Sequence, residues 1–147
     1  MVTVTPRQPG LFTLRQANEM LPLVKLIVDD WIELERDVQL HRIQLKGLQE
    51  LRSSRGAKPY SEEVAEVEES LHAEQRRLTA FLAELQELGL EVCPAEVGFV
   101  GFPAIHQGRE VRLCWTAGDS SVRYFYERGQ SPADRQLLSG AGQRLGH

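Results

Sequence analysis

Hydrophobic positions recur every three and four residues over two long stretches of the chain, and every second residue over a third. From Leu23 to Arg52 there is no proline and a single glycine, Gly47. Within that stretch Ile27, Trp31, Leu34, Val38, His41, Leu45 and Leu48 are spaced 4, 3, 4, 3, 4, 3. A seven-residue repeat of this kind marks one helix packing along another. "RSSRGAKPY" at Arg52–Tyr60 interrupts the pattern with serine, glycine and proline. Val64, Val67, Leu71, Glu74, Leu78, Phe81, Leu85 and Leu88 then resume it, as 3, 4, 3, 4, 3, 4, 3. The two stripes fit an antiparallel hairpin in which Leu48 meets Val64, Leu45 meets Val67 and the layers continue to Ile27 with Leu85. The two polar seam positions, His41 and Glu74, then fall one layer apart, where a polar pair would fix register.

The ends of these helices carry their own signals. "TLRQ" at Thr13–Gln16 has capping-box form. Pro22 either kinks this first segment or opens the next helix at its first turn. Ser61 can cap the second helix, with Glu62 and Glu63 suited to its positive end. Gly89 stands where a left-handed helix stop belongs. The spacing thus predicts helices over 13–52 and 61–88.

After Gly89 the period drops to two. Val100, Phe102 and Ala104 alternate, as do Val111, Leu113 and Trp115, and again Val122, Tyr124 and Tyr126. "HQGR" at His106–Arg109 reads as a tight turn and "TAGDSS" at Thr116–Ser121 as a longer one. The prediction is a three-stranded antiparallel sheet over 98–127 whose nine alternating residues share one face. That face covers the root of the helical hairpin, since a sheet this small needs a partner layer. The register places Arg123 across from Cys114. "SPAD" at Ser131–Asp134 announces a short helix over 132–138, and "SGAGQRLGH" a tail with little to pack. The fold class is α+β, in a single domain covering 1–147.

Totals change this picture little. A 147-residue chain that is 41% hydrophobic and 26% charged can build a core without metal or disulfide help. Net charge is −4 with no basic face, which argues against nucleic acid as a partner. There is no signal-peptide pattern and no apolar run of membrane-spanning length, so the expected location is the cytoplasm with both cysteines, Cys93 and Cys114, reduced.

Three motifs, "FTLRQANEMLPLV" at Phe12–Val24, "GFVGFPA" at Gly98–Ala104 and "GREVRLCWTAGD" at Gly108–Asp119, resemble the bacterial DUF2203 proteins, small proteins of unknown function. The resemblance spans nearly the whole chain. The family pattern carries an aspartate where Gly101 stands, a histidine where Tyr126 stands, and a glycine-rich stretch of which Glu127, Gly129, Arg135 and Gln136 persist here. If family members use an Asp/His pair for metal or acid–base work, this chain lacks it. The resemblance therefore implies the fold and weakens an enzymatic reading.

Candidate chemistry is sparse. The four histidines lie in four separate segments, and CxxC, HxxxH, HExxH and GxSxG are all missing. No catalytic residue, metal site or cofactor is expected. Two readings follow. The first is a non-enzymatic interaction or scaffold module that self-associates as a homodimer through Leu40, Ile43 and Leu51, which lie off the hairpin seam and beyond the reach of the sheet. Leu23, Leu26, Ile32 and Leu82 lie nearer the root, where the sheet can cover them. The alternative is a small-molecule or anion-binding protein, an enzyme included, with Arg112, Cys114, Arg123, Glu127 and Arg135 on one sheet face, where a neighbouring cation would lower the Cys114 thiol pKa.

Overall fold

Thr13 and Gln16 close the reciprocal cap that their spacing announces. The Gln16 amide N–H donates to Thr13 Oγ1 at 3.0 Å, and the Thr13 N–H donates to Gln16 Oε1 at 2.9 Å. From there helix α1 runs as Leu14–Arg55, 42 residues or about 63 Å. Pro22 lies inside it, so the helix neither ends nor restarts there. This computed structural model describes residues 10–55, 60–127 and 129–138. The extended leader before residue 10, the 56–59 part of the hairpin loop and the tail from 139 lie outside the described residues.

Helix α2, Ser61–Glu87, returns antiparallel to α1. Its N-cap is Tyr60, with no side-chain cap bond, so Ser61 is the first helical residue and not the cap. Its far end is closed by Gly89 at φ 94°, a backbone region that side chains with a Cβ avoid. The Gly89 N–H donates to the Gln86 carbonyl at 2.9 Å and the Leu90 N–H to the Leu85 carbonyl at 3.2 Å, the paired bonds of a Schellman stop. Between the helices the seam buries Ile27, Trp31, Leu34, Val38, Val64, Val67, Leu78 and Leu85. His41 and Glu74, in adjacent layers of the register, meet as a polar pair, with Nδ1 2.8 Å from Oε2 and 2.9 Å from Oε1.

The sheet has five antiparallel strands in sequence order, not three: β1 Glu91–Val92, β2 Phe99–His106, β3 Arg109–Thr116, β4 Tyr124–Glu127 and β5 Gln136–Leu137. Strands β1 and β5 are two residues long, too short to show a period. The β2–β3 pairing runs Phe99 to Thr116 through His106 to Arg109, as predicted. Its turn uses Gln107 at φ 53° and Gly108 at φ 77°, the paired left-handed residues that suit a two-residue hairpin. The β3–β4 pairing differs by one residue: Leu113 faces Phe125, Cys114 faces Tyr124 and Arg112 faces Tyr126. A one-residue slip exchanges the two faces of a strand. Phe125 therefore enters the core, while Tyr124 and Tyr126 turn outward with Arg112 and Cys114. The physical preference is plain, because a phenyl ring carries no hydroxyl to satisfy and the two tyrosines do. The helix predicted over 132–138 is a single 3-10 turn, Pro132–Asp134, capped by Ser131 and Asp134, before the chain joins the sheet as β5.

One hydrophobic core joins the layers. Ala17, Leu21, Val24 and Val28, on α1, meet Val100, Phe102, Val111, Leu113, Trp115 and Val122. Asn18 bolts the two together: its Oδ1 accepts the Val122 N–H at 2.8 Å, and its Nδ2 donates to the Val122 carbonyl at 3.2 Å and the Leu14 carbonyl at 3.1 Å. The sheet covers Ile32 and Leu82 in part but leaves Leu23 and Leu26 exposed. No helix among the described residues is long and apolar enough to cross a membrane.

Candidate functional site on the outer face of the sheet

Alternation along β3 sends Arg112 and Cys114 to the face away from the helices, and the corrected register brings Tyr124 and Tyr126 beside them. Arg135 joins this face from the segment between the 3-10 turn and β5. Its guanidinium lies 4.1 Å from the centre of the Tyr124 ring and donates through Nη1 to Asp119 Oδ2 at 3.0 Å. Asp119 is itself fixed by the β3–β4 loop. Its Oδ2 accepts the Thr116 N–H at 3.2 Å and its carbonyl accepts the Trp115 indole N–H at 2.8 Å. Of the five residues expected to share a site, three are thus brought together: Arg112, Cys114 and Arg135. Arg123 is exposed and donates to Ser120 Oγ at 2.9 Å. Glu127 pairs with Arg109 at 2.8 Å.

The cations on this face are already neutralised. Arg112 Nε donates to Glu91 Oε1 at 2.7 Å, and Nη1 approaches Glu110 at 3.5 Å. Burial by itself would lower the Arg112 pKa, but the bond to Glu91 and the charges of Glu91 and Glu110 raise it above its ordinary value. Arg135 is raised in the same way, with burial opposed by Asp119. An incoming anion would have to displace a carboxylate from either one.

Cys114 is fully buried, and burial pushes its thiol up to about 11 despite the opposing charge of Arg135. The neighbouring cation therefore does not produce the depressed pKa a reactive thiol needs. Burial, with Glu91 next, also raises the Tyr126 hydroxyl. At neutral pH the face presents a protonated thiol, a protonated phenol and paired guanidinium groups, an arrangement suited to holding strands together. Among the described residues no group of three or more His, Cys, Asp or Glu side chains converges as a metal site.

The family profile described as an uncharacterized conserved protein, DUF2203, matches residues 10–138. The chain belongs to the DUF2203 family. No curated protein and no solved structure matches it. The two positions where this DUF2203 chain departs from the expected pattern are neighbours in space. A Cβ built on Gly101 would lie 3.7 Å from the Tyr126 hydroxyl and 3.8 Å from Glu91 Cβ. The sequence did not reveal the roles of Glu91, Asp119 and Asn18 in this DUF2203 fold. A second α1 stripe, Ala17, Leu21, Val24 and Val28 at spacing 4, 3, 4, was a readable signal for the helix face that meets the sheet.

The other predicted surface lies at the far half of α1. Leu40 is 61% exposed, Ile43 69% and Leu51 40%, on the side of the helix away from α2. In this DUF2203 chain the sheet stops short of them.

Proposed function

We propose that this DUF2203 chain is a non-enzymatic helical-hairpin module that self-associates through the outer side of α1. The observation that carries the reading is the exposure of Leu40 and Ile43, one turn apart, on the side of α1 away from α2 and beyond the end of the sheet. Leaving two such side chains in water forgoes roughly 1.5–3 kcal/mol each, and a matching surface on another copy recovers it. The outer sheet face supports the reading by default, since its arginines are paired and its thiol is protonated. Changing Leu40 and Ile43 together to lysine tests it. Size-exclusion chromatography with light scattering is expected to show a dimer for the parent chain and a folded monomer, with unchanged helical circular dichroism, for the variant. An unchanged mass for the variant would remove this surface from consideration.

A further inference from the structure

The exposed side of α1 has a seam of its own, and its chemistry is self-complementary. Glu33, Arg36, Leu40, Ile43, Gly47, Glu50 and Ser54 are spaced 3, 4, 3, 4, 3, 4, the same repeat as the seam facing α2. At about 100° per residue this second stripe lies on nearly the opposite side of the helix. Glu33, Arg36, Leu40, Ile43, Glu50 and Ser54 are all exposed. Arg36 and Glu50 sit seven residues to either side of Ile43, with opposite charge and no ion pair or hydrogen bond among the described residues. Leu40 is three residues to one side and Gly47 four to the other. A Cβ on Gly47 would meet nothing within 4 Å, so no contact among the described residues accounts for a glycine in the middle of this helix.

We infer that two copies of this chain pair antiparallel along α1, about a two-fold axis at Ile43. Residues equidistant from the axis then meet. Ile43 packs on Ile43 of the second copy, Arg36 faces Glu50 on both sides, and Leu40, three residues from the axis, comes within one residue of the level of Gly47, four residues from it, and leans over the glycine. A two-fold interface uses the same patch twice, so a patch with opposite charges at equal distances from its centre matches itself in this orientation only. A parallel pairing would instead set Arg36 against Arg36, Glu50 against Glu50 and Gly47 against Gly47. The second copy is favoured over an unrelated helix because both the charges and the large–small match are present within one stripe.

This inference rests on the self-association reading, and charge exchange separates the two. Arg36→Glu and Glu50→Arg are made singly and together, and the dimer Kd is measured by sedimentation velocity. Each single change is expected to weaken the dimer at least about tenfold, and the double change to return it to within about threefold of the parent. In a Cys93→Ser background, Ile43→Cys is expected to crosslink two copies on mild oxidation and Leu26→Cys to give none. A parallel pairing would crosslink both. A dimer indifferent to the charge changes, or weakened by them without rescue, overturns this register while leaving self-association standing. A parent chain that stays monomeric at about 100 µM overturns both, since a Kd of even about 10 µM would leave most chains paired.

Discussion

Asn18 is the single side chain whose loss should loosen the sheet from the hairpin. In Asn18→Ala the Val122 N–H and carbonyl lose their 2.8 Å and 3.2 Å partners. Val122 has a fully buried side chain, and among the described residues no main-chain bond outside the helices and strands holds it. Each lost bond to a partly buried backbone group costs about 1–1.5 kcal/mol, and water reaching the half-buried site keeps the value at the lower end. Alanine recovers about 0.5 kcal/mol of helix propensity. The net expectation is a loss of about 1.5 kcal/mol, a fall in Tm of roughly 3–6 °C for a domain of this size. Urea unfolding followed by fluorescence of Trp31 and Trp115 reads the stability. Hydrogen exchange at the Val122 amide reads the site itself, with protection expected in the parent and lost in the variant. Gln49→Ala, an exposed α1 position, is the control and should be neutral. An Asn18→Ala protein as stable as its parent, with Val122 still protected, would refute the argument that this amide joins the layers.

Four further outcomes follow from named contacts. A thiol reagent should modify the exposed Cys93 at once and Cys114 only on unfolding; two fast thiols in the native protein would contradict the burial of Cys114. The folded Cys114 pKa of about 11 exceeds an unfolded value of about 9, so the contribution is complete below pH 9 and is lost as pH rises toward 11, at about 1.4 kcal/mol per unit. Tyr126 is raised and adds to the same alkaline loss, so Cys114→Ala should flatten the stability curve above pH 9 in part, and an unflattened curve would remove Cys114 as a cause. A double-mutant cycle on His41 and Glu74 should give about 0.5–1 kcal/mol of coupling, modest because the His41 side chain is 32% exposed, and zero coupling would mean the pair does not set register. Gly47→Ala should stabilise the dilute monomer by about 1 kcal/mol yet weaken association; stronger association would exclude a close approach at Gly47.

The helical half of the fold was legible because its signal is redundant. Seven seam positions on α1 and eight on α2 agree on one register, and the His41–Glu74 contact falls where that register puts it. The β2–β3 hairpin was legible for a similar reason, with a glycine turn fixing the pairing. The β3–β4 pairing was not, because Val122, Tyr124, Tyr126 and Phe125 offer apolar atoms to either face and the six-residue loop leaves both registers open. What decides it is tertiary: Asp119 ties the loop to Trp115, Thr116 and Arg135, and Asn18 holds Val122 against α1. Strands β1 and β5 exist only as partners of longer neighbours. For the candidate site, the sequence placed Arg112 and Cys114 on one face correctly but could not show that Glu91 would neutralise the arginine or that burial would silence the thiol.

A native mass spectrum of the parent chain tests the central claim most directly, since it reports copy number and retained molecules together. The account predicts a species of twice 16.6 kDa with no added mass. A single-copy mass across the concentration range, above all one carrying a bound small molecule, would contradict it and move attention from α1 to the outer face of the sheet.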